Sequence, residues 1–306
     1  MRILITGGNG FLGSNLLELF LRSDHEVAVV SRNSNNISEY LHRINYIKHS
    51  SQSYFEHEKD VLAFEADVIL HMAWEGGNSY NDINDLKQIY KNVPSGLSLL
   101  EIISKQKNAP KFIGCGSFLE YGTINSKVTE DTTENPNSFY GLSKLLFKKS
   151  SEMYCKQREI PWNWIRPCYI YGRGDVHTRL MPSVINRILD KEDVVLDDCN
   201  AIIDYLHVED FCSAVSSIVS ASHEGTFNIC SGEERSLRDV IAIVQSQIDP
   251  NRRIIFDSSL NRSHKPKYVC GSNERLKILT GWSPKVNLQE GVKKTIEFYK
   301  YQRSSK

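Results

Sequence analysis

The residues best suited to chemistry in this chain gather around Tyr140-Gly141-Leu142-Ser143-Lys144. A tyrosine and a lysine four positions apart on a helix share one face, so both side chains can reach one bound molecule. A phenolic hydroxyl can give a proton to a forming alkoxide or take one in the reverse direction, and a neighbouring ammonium favours the phenolate. The same spacing also occurs as an ordinary surface pair. A second hydroxyl, Ser117, lies in Gly114-Cys115-Gly116-Ser117-Phe118-Leu119-Glu120-Tyr121-Gly122, just after an apolar strand. Open α/β sheets hold ligands at that end of their strands. There Ser117 can hold a carbonyl oxygen in register with Tyr140, or serve as a plain turn residue.

A third element stands at the start of the chain. Gly7, Gly10 and Gly13 form a G-x-x-G-x-x-G turn, with Phe11 and Leu12 inside it, between an apolar strand and a helix. Such a turn lets backbone approach a pyrophosphate closely, and the helix that follows points its free amides at the phosphates. Dinucleotide binding is the expectation, with an ordinary glycine turn as the alternative. The second strand ends at Ser31-Arg32, where an NAD site commonly carries a carboxylate. Arginine can pair bidentately with a 2′-phosphate and serine can add a hydroxyl contact. With no carboxylate expected nearby to repel that phosphate, NADP (NADPH) is expected ahead of NAD, unless Arg32 is simply a solvated loop residue.

Apolar strands alternating with amphipathic helices must position these groups. Strands are expected at 2–6, 27–30, 46–48, 66–73, 111–114 and 162–166, with helices at 14–21, about 83–106 and 140–156. That alternation predicts an α/β fold: a Rossmann-type parallel sheet with helices on both faces. After Tyr171-Gly172-Arg173-Gly174-Asp175 the pattern loosens into a smaller mixed C-terminal lobe. Helices are expected there at 180–189, 210–220, 237–247 and 288–299, with a strand at 194–196 and another at 226–229 that is a candidate to rejoin the main sheet. The expected division is 1–172 for the dinucleotide and 173–306 mainly for substrate, with some segments returning to the first domain.

Bulk composition fits such an enzyme and gives little else. The 306 residues carry 37 Lys plus Arg and 37 Asp plus Glu, so net charge points to neither nucleic acid nor an anionic membrane. Seven cysteines occur without close pairing, which favours reduced thiols over a structural zinc site. No apolar run approaches the length of a membrane span, and MRILITGGNG passes straight into glycines without a leader-like stretch. A cytoplasmic location is expected. Neither a GxSxG elbow nor an HExxH segment is present, so hydrolase chemistry is not expected, and no metal-ligand set is expected either.

Over nearly its full length the chain resembles the extended short-chain dehydrogenase/reductase family, particularly enzymes acting on nucleotide-diphosphate sugars. The segments that carry this are ITGGNGFLG, HMA at 71–73, Asn92 with the LLE at 99–101, GSFLEYG, YGLSK, RPCYIYGRGD, DYLHVEDF, FNICSG and GWSPKVNLQEGVKKTIEFY. The resemblance implies a Ser117–Tyr140–Lys144 catalytic set, with Asn92 supporting the active-site helix and its proton-relay water. It implies cofactor contacts from Met72, Ala73 and Pro167 besides the glycine turn, Tyr140 and Lys144. A nucleotide-diphosphate sugar would be the substrate, and a homodimer through the helices near 83–106 and 140–156 is implied. Candidate substrate contacts are Trp74, Ser117, Tyr169, Arg179 and Leu196, with Arg262 and His264 from the basic run SSLNRSHKPK.

Departures from the family pattern narrow the activity. Family 4,6-dehydratases carry an Asp-Glu pair where this chain has Phe118 and Leu119, which cannot transfer protons. Glu120 is displaced by one position and would be redirected. A 4,6-dehydratase is therefore not expected. The apparent NADP preference suits a one-way reduction better than a redox-neutral epimerase, so reduction of the C4 ketone of an NDP-4-keto-6-deoxyhexose is expected first and NAD(P)-dependent NDP-sugar 4-epimerisation second. A non-catalytic NADP-binding regulatory protein is the reading of another class. Some reductases of the family also epimerise through a cysteine and a histidine. Here Cys115 is expected to be buried and His177 to face solvent. Ile203 replaces an arginine that many relatives place before the aspartate, leaving Arg262, His264, Lys265 or Lys267 to compensate. Tyr169 stands where relatives often have asparagine.

Overall fold

The protein is seen here as a computed structural model that describes residues 1–49, 53–77, 80–260 and 266–304. Its centre is a seven-stranded sheet: β1 Arg2–Thr6, β2 Glu26–Ser31, β3 Asn45–Lys48, β4 Val68–His71, β5 Lys111–Cys115, β6 Trp162–Pro167 and β7 Gly225–Ile229. The strand order is β7-β6-β5-β4-β1-β2-β3. The pairings of β1 with β2 and β4, of β2 with β3, and of β5 with β4 and β6 are all parallel. Ile3, Leu4 and Ile5 lose all exposure, as do Val29, Leu70 and Ile113. Strands buried on both faces become continuous apolar runs, which is why β1 reads as RILIT rather than as an alternating pattern. This is the Rossmann-type α/β sheet, with helices packed around it, and 226–229 does rejoin it.

Four helices matter for the site: α1 Phe11–Arg22, α2 Glu58–Phe64, α3 Val93–Ile103 and α4 Phe139–Gln157. Helix α4 begins at Ser138, whose hydroxyl accepts the Gly141 amide at 3.2 Å. It buries Lys144, Phe147, Lys148, Ser151 and Cys155, a stripe at helical spacing. Helix α3 packs so closely on α4 that a Cβ at Gly96 would lie 2.6 Å from the Phe147 ring. The single helix expected over about 83–106 is broken. A short turn at Tyr80–Ile83 is followed by a π-helical stretch at Gln88–Asn92, and only then by α3. Pro94, in the first turn of α3, has no amide to donate, so a regular α-helical ladder cannot run unbroken through it.

The chain divides into two compact units, each formed from separated stretches. The first comprises Met1–Thr123, Thr132–Pro167 and Val215–Phe227, and the second Ile124–Asp131, Cys168–Ala214 and Asn228–Lys306. The second unit holds small sheets of which the sequence pattern announces only the strand at 194–196. Tyr169–Tyr171 runs parallel to Tyr205–His207, Val194–Leu196 parallel to Ile254–Phe256, and Ile202–Ile203 between Arg235–Ser236 and Tyr268–Val269. Strands of two or three residues are too short to show a period. Its core joins Tyr171, Met181, Val184, Ile185 and Ile188 to Val240, Val244, Val292, Ile296 and Tyr299. All seven cysteines are unbridged. Among the described residues no helix is long and apolar enough to cross a membrane.

Candidate active site

The glycine turn meets the end of β4 with almost no clearance. Gly7 has φ +70°, and a Cβ there would lie 2.8 Å from the Ala73 backbone. A Cβ on Gly13 would strike the Gly7 carbonyl oxygen, so Gly13 serves the turn itself. Helix α1 starts at Gly10 without a side-chain cap, which leaves its first amides without that competitor. Phe11 and Leu12, in the first turn of α1, are half-buried. Above the turn lies a cleft of about 340 Å³, lined among others by Gly7, Gly10, Ser31, Arg32, Met72, Ala73 and Trp74. An open helix N-terminus and glycine backbone facing a cleft fit a dinucleotide pyrophosphate. Pro167, half-buried at the end of β6, is not among the cleft-lining residues.

Against Trp74, which lines that cleft, stand the expected proton-handling groups. Lys144 is buried, and its Nζ donates to the Cys115 carbonyl at 2.7 Å, at the end of β5. The same ammonium sits 3.7 Å above the Trp74 ring and 5.7 Å from the centre of the Tyr140 ring. Burial pulls the Lys144 pKa down to about 8, while Cys115 and Glu120 oppose the shift. Tyr140 is half-buried, and the Trp74 ring meets it edge-on at 6.5 Å. A Cβ on Gly77 would lie 2.6 Å from the Tyr140 ring, so the loop after β4 crosses the phenol closely.

Ser117 begins a short 3-10 turn at Phe118–Glu120, and its hydroxyl accepts the Leu119 amide at 3.2 Å. The Leu119 carbonyl occupies the space a Cβ on Gly141 would need, so the Ser117 loop abuts the first turn of α4. Glu120, expected to be redirected, points inward and is fully buried. It accepts the Ser117 amide at 2.8 Å, the Trp164 indole at 3.1 Å and Arg166 Nε at 2.7 Å. Arg166 also reaches the Tyr121 hydroxyl at 2.8 Å and pairs with Glu134, which Lys148 pairs with in turn. Burial works against the Arg166 guanidinium, but Glu120, Tyr121 and Glu134 outweigh it and hold its pKa above the ordinary value. The S-x-x-E spacing of Ser117 and Glu120 is a capping-box signal that sequence reading could have used.

Asn92 sits at the end of the π-helical stretch, and its amide is engaged by the loop after β4. Its Oδ1 accepts the Glu75 amide at 2.8 Å, and its Nδ2 donates to the Glu75 carbonyl at 3.1 Å and to Gln88 Oε1 at 3.0 Å. Gln88 Oε1 also accepts the Trp74 indole at 2.8 Å. Asn92 and Gln88 therefore hold Trp74 against Lys144. Gln88 was not anticipated, because only the π-turn brings it over that loop.

Also in the cleft lining, Glu75 Oε2 lies 3.2 Å from Arg32. This corrects the expectation that no carboxylate stands near Arg32. The two are 43 residues apart in sequence, and the loops that follow β2 and β4 converge over the same sheet edge. Ser31 is buried, and its hydroxyl donates to the Asn33 carbonyl at 2.8 Å. His71 of the HMA segment pairs Nδ1 with the Thr6 hydroxyl at 2.8 Å, and burial lowers its pKa to about 3.

In the second unit, Arg179 is paired with Asp175 at 3.2 Å, and burial raises the Asp175 pKa to about 6. Tyr169 keeps 38% of its surface exposed and meets Tyr205 edge-on at 5.8 Å. Leu196 is half-buried. Ile203 is a core residue, and the adjacent Asp204 accepts the Ser231 amide at 2.8 Å and the Gly232 amide at 2.9 Å. Arg262 and His264, with Lys265, lie outside the described residues; Lys267 is exposed. Cys115 is buried and His177 exposed.

Residues 3–230 match the NAD dependent epimerase/dehydratase family. The chain belongs to this family. Its relatives in this extended short-chain dehydrogenase/reductase group are nucleotide-sugar reductases, epimerases and dehydratases, and the chain is an enzyme of that kind. It is 24% identical to GDP-L-colitose synthase of Yersinia pseudotuberculosis, with 98% of each chain covered. It is also 24% identical to dTDP-6-deoxy-L-talose 4-dehydrogenase (NAD(+)) of Aggregatibacter actinomycetemcomitans, over 79% of this chain and 88% of that one. The fold matches UDP-glucose 4-epimerase of Thermotoga maritima, solved with UDP-glucose, at a TM-score of 0.91 and 22% identity, covering 99% of this chain and 100% of that one.

Proposed function

We propose that this enzyme carries out nicotinamide-dependent oxidation–reduction at C4 of a nucleotide-diphosphate sugar, reducing the ketone of an NDP-4-keto-6-deoxyhexose. The observation that carries this reading is a buried Lys144 beside Tyr140, on the same unit as a glycine-lined cleft. Bound nicotinamide dinucleotide supplies the hydride. Tyr140 donates its phenolic proton to the oxygen that becomes the C4 hydroxyl, and Lys144 steadies the resulting phenolate with its ammonium. Ser117 holds the carbonyl oxygen through its own proton, which the Leu119 contact does not use. Glu120 fixes the Ser117 loop. In the second unit Tyr169, Arg179 and Leu196 remain the candidates for nucleotide-sugar contacts.

The cofactor is proposed to be NAD(H) rather than NADP(H). A 2′-phosphate at Arg32 would meet the Glu75 carboxylate as well, whereas the hydroxyls of an unphosphorylated ribose can donate to it. The same ion pair favours a second reading, a 4-epimerase, because a redox-neutral enzyme gains nothing from an NADPH pool. A homodimer is also proposed. Leu142, Leu146 and Met153 leave an apolar stripe exposed on α4, and Leu86 and Tyr90 are exposed as well; sedimentation velocity reads the dimer directly.

The deciding experiment incubates the protein with NADH or NADPH and a panel of NDP-4-keto-6-deoxyhexoses, with products identified by NMR. Stoichiometric loss of reduced cofactor with a new C4 alcohol supports the reductase. Interconversion of two C4 epimers without net loss supports the epimerase. Binding of reduced cofactor with no turnover of any nucleotide sugar would leave the regulatory reading in possession.

A further inference from the structure

We propose that His49, Glu56 and His57 form a binding site for a divalent transition-metal cation of the zinc class, set beside the cleft of the first unit. His49 follows β3, while Glu56 and His57 close the 3-10 turn Tyr54–His57. Chain folding brings one ligand atom from each within 4.8 Å of the other two. Glu56 Oε1 stands 2.9 Å from His57 Nε2 and 3.6 Å from His49 Nδ1. Metal–ligand bonds of about 2.0–2.2 Å in a tetrahedron set the ligand atoms about 3.4 Å apart, a spacing these two distances bracket.

The donors are also poised for ligation. His49 Nδ1 and His57 Nε2 are both buried, and neither makes a hydrogen bond among the described residues. The His49 ring is held in place by stacking on Tyr54 at 4.5 Å with only 3° between the planes. Two imidazoles and one carboxylate suit zinc, cobalt or nickel, whereas magnesium and calcium call for oxygen donors throughout. Three protein ligands leave one tetrahedral position for water or another donor. His49 and Tyr54 line the cleft together with Ser31 and Arg32. On the reading that the cleft takes a dinucleotide, a cation here adds positive charge beside its adenosine end; the site itself does not depend on that reading.

The full chain, freed of metal with a chelator, is titrated with cobalt(II) and followed by visible absorption. One equivalent should produce the intense visible band of tetrahedral cobalt, and zinc should abolish it. H57Q and H49Q should lose the band and weaken binding by more than about tenfold. Far-UV circular dichroism reports whether each variant is folded; His57 is the more exposed position and carries the comparison if H49Q does not fold. A wild-type titration without the band, or equal cobalt binding by wild type and folded H57Q, overturns the proposal. NADH binding is measured in parallel on the metal-free chain. Cobalt binding without NADH binding would refute the cofactor reading alone, and the reverse result would refute the metal site alone.

Discussion

The two ends of the site in the first unit are built from the same residue pair in opposite solvents. Under the Ser117 loop, Arg166 and Glu120 are both fully buried and 2.7 Å apart. Beside the cleft, Arg32 and Glu75 are 3.2 Å apart, with side chains 65% and 41% exposed. A dry pair is locked, because removing one partner strands a charge without water. A wet pair is adjustable, since water replaces either partner at little cost. The reacting end is thus fixed by buried charge, whereas the adenosine end can change its ligand preference without disturbing the fold.

The largest effect should come from the phenol that the dry end positions. Y140F should lower kcat/KM by about 10²–10⁴-fold, with NADH affinity largely kept, as read by steady-state kinetics and fluorescence titration. Full activity in that variant would remove Tyr140 as proton donor. Next in size, E120A should destabilise the protein by about 3–5 kcal/mol in urea unfolding, because buried Arg166 keeps only Glu134 and Tyr121 while the Ser117 amide and the Trp164 indole lose their acceptor. A loss below 1 kcal/mol would put the two pairs in one class and cancel the contrast.

A smaller effect tests what holds Lys144. Burial lowers its pKa to about 8, and the Trp74 face at 3.7 Å favours its charged form. Phenylalanine at 74 offers a weaker face and no indole for Gln88. W74F should therefore shift the alkaline limb of the pH–rate profile down by roughly half a unit to one unit. An unmoved limb would mean that Trp74 only fills space. Smallest in stability is E75A, which should change unfolding free energy by less than about 1 kcal/mol. It should nonetheless raise NADPH affinity several-fold relative to NADH by freeing Arg32. Unchanged cofactor preference would show that the wet pair does not select the ribose.

This contrast also separates what the sequence discloses from what it hides. The glycine turn, the parallel strands and the helix carrying Tyr140 and Lys144 rest on local patterns, and their limits fall within a few residues of expectation. Helix α4, expected over 140–156, spans Phe139–Gln157. Partners far apart in sequence were invisible, because only the folded sheet edge brings Glu75 to Arg32 or Glu120 to Arg166. The absence of Glu75 from the local pattern tilted the cofactor expectation toward NADP. Glu120 lay midway between legible and hidden: its spacing from Ser117 was readable, while its buried arginine was not. Gln88 depended on a π-turn that no apolar period announces.

The setting of Lys144 has a consequence for covalent labelling. With a pKa near 8 instead of 10.5, about a tenth of this amine is unprotonated at pH 7, against well under a thousandth for an ordinary lysine. Trp74 and the Cys115 carbonyl shield it from bulky reagents. A compact electrophile able to pass Trp74, which lines the cleft, would therefore find in Lys144 an unusually nucleophilic amine.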